Sequence, residues 1–151
     1  MKECVQPYYL KDGNIYDCGS FHTGLIDEGK SIYEVARLAG IQLLFLGDHI
    51  ERLFTSLKLE GLESWLSKEE IINQLDQLIR KNPVKKGNVK FVLNFRSRSR
   101  FHFLAYFVEH RYPSDEDYLN GVKVITFPFE RPEPNKKVWR PDFRREVAEA
   151  I

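Results

Sequence analysis

Three groups of side chains in this sequence have the types and spacing to do chemistry. The first lies in Gly47-Asp48-His49-Ile50-Glu51-Arg52-Leu53. Projected on a helix, Ile50, Leu53, Phe54 and Leu57 form an apolar stripe, and His49, Arg52 and Ser56 share a second face about a third of a turn away. A guanidinium at that border suits a phosphate, because its planar fork donates paired hydrogen bonds and it stays charged at any physiological pH. A surface arginine that covers the sheet edge or pairs with Glu51 or Glu60 also fits the position. The second group is Arg100-Phe101-His102. Residues two apart in a strand share a face, so Arg100 and His102 can converge on one anion; the alternative is a charged hairpin tip followed by an ordinary sheet histidine. The third group alternates Arg96, Arg98 and Arg100 with serines among Phe91, Phe95, Phe101 and Phe103, a composition that can meet single-stranded RNA. Those aromatics fall in strands rich in other apolar residues and are expected to face a core, which makes a solvated hairpin turn the better account.

These groups need elements to hold them. Tyr8-Tyr9-Leu10 and Ile15-Tyr16 flank Asp12-Gly13, a dipeptide that supplies the positive backbone angles of a tight turn, so a first hairpin is expected there. Apolar-rich runs at 31–38 and 41–46, parted by Ala39-Gly40, predict a second hairpin. Asp48 can cap a helix that carries Arg52 and ends near Gly61. Ser67 and Glu70 make a capping box ahead of Ile71, Ile72, Leu75, Leu78 and Ile79, and Asn82-Pro83 closes that helix. Strands are expected over 89–95 and 101–108, the second more central. A helical turn follows at Pro113-Ser114-Asp115, then a strand from Val122 to Phe127 and an extended linker at Arg131-Pro132-Glu133-Pro134-Asn135. The order of elements predicts an α+β fold: an antiparallel sheet of about five to seven strands with two main helices packed on one face.

Composition sets the outer bounds. At 151 residues, 42% apolar and 13% aromatic, the chain can bury a real core. Its 23 basic and 22 acidic residues give a net charge of +1, so no global field recruits nucleic acid or an anionic membrane. No stretch approaches the roughly 18 consecutive apolar residues of a membrane helix, and Met1-Lys2-Glu3-Cys4 lacks an apolar signal core, so a cytoplasmic protein is expected. Cys4 and Cys18 match neither a zinc spacing nor a disulfide framework and are expected to be reduced core thiols. Four scattered histidines do not suggest a metal site. Glycine-rich dinucleotide, phosphate-loop, zinc-protease and serine-hydrolase patterns do not occur.

Ser31-Ile32-Tyr33-Glu34-Val35-Ala36-Arg37, the Gly40 turn, an apolar run and then His49-Ile50-Glu51-Arg52-Leu53 together resemble the opening of the class IV, or fold type IV, pyridoxal-phosphate aminotransferases. In that family the strand reads roughly Gly-x-Gly-Val-Tyr-Glu-x-x-Arg and the helix His-Leu-x-Arg-Leu, its Arg gripping the cofactor phosphate. Arg52 is the matching residue. The family's cofactor lysine follows a strand and a Pro-containing linker in a pattern like Pro-x-x-Lys-x-x-Asn. Counting from Pro134 selects Lys137, with Lys136 as the alternative register. Arg140 stands where the family usually has Asn, and Pro141 where Tyr, His or Leu is common; Pro141 suits the first turn of a helix from Asp142 to Ala150. Tyr33 aligns with a strand residue that lies beside the substrate in relatives acting on D-amino acids, although a plain sheet aromatic fits as well. Arg100-Phe101-His102 resembles the Arg-x-His by which some of those relatives hold the substrate carboxylate from the neighbouring subunit.

The resemblance implies pyridoxal 5'-phosphate as cofactor, a homodimer, and an amino group moved between an amino acid and a 2-oxo acid. Lys137 would hold the cofactor and serve as acid and base, with Tyr33 beside it. It covers about Tyr8 to Ala150, the family's small domain: 1–130 as the α+β unit and 131–151 as an interdomain linker with the candidate lysine and the start of a helix. The large domain, which supplies the rest of the family's pocket, is expected to be absent. Lyase chemistry on aminodeoxychorismate, also found in the family, and a non-catalytic dimerisation or ligand-binding module are the other readings.

Overall fold

The computed structural model describes residues 3–97, 100–110, 112–124, 126 and 134–140. Six antiparallel strands form one sheet in the order β2-β1-β6-β5-β3-β4: β1 Tyr8–Lys11, β2 Asn14–Asp17, β3 Lys30–Ala39, β4 Gln42–Leu43, β5 Lys86–Ser97 and β6 Arg100–Val108. The helices are α1 Gly24–Asp27, α2 Leu46–Leu59, α3 Lys68–Lys81 and α4 Asp115–Asn120. The expected α+β layout holds, with α2 over β3 and α3 over β1 and β6 on one face. That face buries Ile32, Ala36 and Leu38 of β3 with Leu53 and Leu57 of α2, Leu75 of α3, and Phe91 and Phe103 of the central strands. The other face carries a smaller cluster of Tyr9, Leu25, Ile26, Val92, Leu104 and Tyr106.

Local chemistry accounts for most of the boundaries. Asp12 and Gly13 both take positive φ, as the first hairpin requires. α2 ends at Leu59, near Gly61 as expected; Gly61 N–H reaches Lys58 while Leu62 N–H reaches Leu57, the paired bonds of a glycine-stopped helix. Both halves of the Ser67–Glu70 capping box are formed. β5 and β6 are both central, each with strands on either side.

Four expectations are corrected. The apolar run 41–46 gives a strand only at Gln42–Leu43, because Phe45 turns into the left-handed region at φ 54° and Leu46 already opens α2. Phe45, not Asp48, is therefore the residue before the helix, and Asp48 lies in its first turn, where a carboxylate favours the helix dipole. Residues 122–124 are not a strand: Val122 and Val124 are 60% and 81% exposed and pair with no strand among the described residues. The rest of that expected strand, at 125 and 127, and the expected helix from Asp142 lie outside the described residues. Finally, Cys4 and Cys18 meet as a disulfide pair with Cα atoms 6.1 Å apart. Val5 N–H bonds Phe107 and Cys18 N–H bonds Pro7, which folds the N-terminal segment back onto the second face and brings the two sulfurs together.

Candidate functional site

Position 34 breaks the apolar alternation of β3. Ile32, Ala36 and Leu38 point under α2, and Glu34 points there with them, fully buried. Its carboxylate is met from α2, where Arg52 Nε donates to Glu34 Oε1 at 2.6 Å and Arg52 Nη2 donates to Oε2. His49 Nδ1 lies 2.9 Å from the same Oε2 and 3.3 Å from Arg52 Nη2. The hydrogen bond to Glu34, ahead of its charge, lifts the Arg52 guanidinium further above its ordinary range, so it stays cationic. Two of its three nitrogens face Glu34 while the side chain as a whole remains half exposed. The helix therefore presents a fixed cation whose remaining edge is open to an anion. The sequence pointed to Glu51 or Glu60 as partners of Arg52; the partner is Glu34, and a carboxylate at an inward strand position was the available signal.

Residues 134–140 return to this place. Val138 bridges Ile32 in antiparallel register, Tyr33 N–H donates to the Lys137 carbonyl at 3.1 Å, and Trp139 N–H donates to Ser31 O at 2.8 Å. The segment thus extends the sheet along the outer edge of β3. β4 pairs farther along that edge, at Leu38 and Ala39, so among the described residues 34–36 have no strand on this side. Ser56, one turn beyond Arg52, links the two parts. Its hydroxyl donates to the Arg52 carbonyl at 2.8 Å and accepts from Lys137 N–H at 3.3 Å. Lys137 Nζ stands 5.5 Å from the centre of the Tyr33 ring. Lys136 instead turns to Glu60, its Nζ 3.0 Å from Oε1, and Lys30 Nζ takes Oε2 at 2.5 Å. First the Lys30 hydrogen bond, opposed by desolvation and joined by that of Lys136, holds Glu60 below the usual carboxylate range.

Arg52, Lys136, Lys137 and Tyr33 are therefore gathered at one edge, with Ser56, Glu34 and His49 as parts not singled out as site residues from sequence. Among the described residues, Lys30, Arg52 and Lys136 are held in place by the carboxylates Glu34 and Glu60, so the cations along this edge have fixed positions. Arg100 and His102 lie elsewhere on the sheet. His102 is opposite Asn94 with its Nδ1 2.8 Å from Asp12 Oδ2, and Arg100 is exposed opposite Ser97, so β5 separates them from Tyr33. In the basic turn, Arg96 is engaged by the Gly24 carbonyl at 2.6 Å and Glu28 at 3.2 Å, and Phe91 and Phe103 are fully buried with no face left for a base.

Known proteins share parts of this sequence and this fold. Aminodeoxychorismate lyase of Bacillus subtilis (strain 168) is 39% identical over 66 residues, 44% of this chain and 22% of that protein. A putative branched-chain amino acid aminotransferase from Thermotoga maritima superposes with a TM-score of 0.72 at 21% identity, covering 95% of this chain and 54% of that one. The branched-chain amino acid aminotransferase from Escherichia coli gives 0.57 at 16% identity, covering 68% and 41%. The chain thus spans about half or less of each relative. The family model for class IV amino-transferases matches residues 31–140, from the strand that carries Tyr33 and Glu34 through the segment that carries Lys137, and the chain belongs to that family.

Proposed function

We propose that this chain is the small-domain part of a pyridoxal-phosphate enzyme that transfers an amino group between an amino acid and a 2-oxo acid, acting as a cytoplasmic homodimer. The observation that carries the reading is the junction at Ser56, which ties the backbone of Lys137 to the helical turn that holds Arg52. The residues suit the cofactor: a propped guanidinium for its phosphate and a lysine for its aldehyde. When bound, the cofactor supplies an aldehyde that captures amines and a conjugated ring that spreads the charge left when a bond at the amino acid α-carbon breaks. Arg52 neutralises the phosphate, and Glu34 and His49 fix the guanidinium so that little of its freedom is lost on binding. Lys137 Nζ would hold the aldehyde and would serve as acid and base for the proton that is exchanged. Tyr33 flanks Lys137 and offers its phenol to the substrate carboxylate. Arg100 and His102 serve the site of the neighbouring protomer. On this reading 1–130 is the small domain and 131–151 the connection to a large one, anchored at its start by the pairing of 137–139 with β3.

The lyase-like reading is favoured by one observation, the 39% identity to aminodeoxychorismate lyase over 66 residues. It uses the same lysine and arginine and differs in substrate. The test of both is to incubate the chain with pyridoxal phosphate, reduce with borohydride and map the modified peptide by mass spectrometry. A single adduct on Lys137, lost in Lys137→Ala, is expected; labelling at Lys136 moves the register by one, and scattered or absent labelling leaves only a non-catalytic module.

A further inference from the structure

The second face of the sheet contains a lysine that the proposed chemistry does not use. Lys90, on β5, is 2% exposed. A buried ammonium costs several kcal/mol unless it is compensated, so its surroundings carry information. Glu3 Oε1 lies 2.6 Å from Lys90 Nζ, and the face of the Trp139 indole lies over it with the ring centre at 3.3 Å. Tyr33 stands 5.2 Å away. With the indole and Glu3 covering it, Lys90 has no open side for a substrate. It is instead a seat for Trp139.

Trp139 is two residues beyond Lys137, and further contacts hold it on the same wall. Its amide bonds Ser31, its indole Nε1 donates to Asp27 Oδ1 at 2.9 Å, and its ring meets Tyr33 edge-on at 5.4 Å. The 137–139 segment pairs with β3 over only a few residues, too little backbone bonding to hold a strand in place. Side-chain anchors must hold it. Val138 packs toward α2 and Trp139 toward Lys90, one anchor on each face of the sheet.

We propose that Lys90 is a positioning residue for the candidate cofactor lysine: its ammonium, held by Glu3, seats the Trp139 indole and thereby fixes the point at which Lys137 leaves the edge of β3. This deepens the reading of Lys137 as the cofactor lysine and rests on it. The clamp itself is observable without the cofactor. In a Trp65→Phe background, where Trp139 is the sole indole, Lys90 is compared with Lys90→Met and Lys90→Arg in the full chain. Methionine keeps an unbranched chain one atom shorter and removes the charge, whereas arginine keeps a cation for the ring. Lys90→Met should raise hydrogen exchange at the Trp139 and Tyr33 amides on the order of tenfold, as loss of a desolvated cation–π contact implies. Exchange within α3 should be unchanged, the indole emission should move toward that of a solvated tryptophan, and the borohydride-trapped adduct should spread from Lys137 onto Lys136. Lys90→Arg should restore all three. Unchanged exchange, emission and adduct position in Lys90→Met overturn the proposal. If that variant does not fold, Trp139→Leu removes the other half of the clamp, and unchanged exchange at Tyr33 then overturns it. A parent chain that takes no adduct at Lys137 defeats the cofactor reading alone, and the exchange and emission results still decide the clamp.

Discussion

At the residue scale, one buried carboxylate organises the helical face of the site. Glu34 is fully buried and accepts two hydrogen bonds from Arg52, with His49 against the same oxygen. Glu34→Gln keeps the shape and removes the charge, so stability should fall by about 1.5–3 kcal/mol, read by urea unfolding, and a cost near zero would mean that the pair does not hold α2 to β3. Glu60 gives a pH prediction. Its titration is depressed, so its pairing with Lys30 and Lys136 is fully stabilising above about pH 4.5 and is lost as pH falls through the lowered value. Glu60→Gln should therefore flatten the acid side of the thermal stability profile, and an unaltered slope would remove Glu60 as the cause. Arg52 and Lys137 stand out in the sequence because the residues around them resemble the family pattern, and the fold brings the helix of the one and the backbone of the other together at Ser56. Glu34 was written in that pattern, but its role depends on a helix from a different stretch, which no local spacing reveals. Lys90 was invisible for the same reason: its partners are 87 and 49 positions away, at Glu3 and Trp139.

At the element scale, two glycines that border β3 should behave differently. Gly29 has φ +80°, and a Cβ built there would stand 2.4 Å from the Phe95 carbonyl oxygen. Gly40, at φ +66°, has open space around it. Gly40→Ala should cost about 1–2 kcal/mol from backbone strain alone, and Gly29→Ala clearly more, because β3 must also move from β5. Equal losses in denaturant midpoint would contradict that contact. The helices and long strands were legible because capping chemistry and period set them: Ser67 with Glu70 marks α3, and Gly61 stops α2. The short pieces were not. β4 is cut to two residues by the turn at Phe45, an aromatic in a left-handed conformation that no propensity favours. Val122 and Val124 have the alternation of a strand and, among the described residues, no neighbour to pair with, which periodicity cannot report.

At the scale of the molecule, the sheet divides two tasks: its helical face fixes Arg52, and its other face, with the N-terminal segment, seats the lysine-bearing strap. The Cys4–Cys18 pair ties down that segment and hence Glu3. Reduction should lower unfolding stability by about 3 kcal/mol, as expected for closing a loop of this size, while an unchanged denaturation curve would mean that the thiols stay separate. Spacing alone did not disclose the pair, because the two cysteines meet only after the segment folds back. The central claim is that Arg52 and Lys137 act on the two ends of one small molecule. Its most direct test is to trap pyridoxal phosphate and pyridoxal separately on the parent chain and on Arg52→Ala, and to quantify the adduct at Lys137. The parent should prefer the phosphorylated aldehyde by about tenfold or more, as charged hydrogen bonds to a phosphate imply, and Arg52→Ala should largely abolish this preference while still labelling Lys137. Equal trapping of the two aldehydes by the parent chain, or a preference untouched by Arg52→Ala, would contradict it.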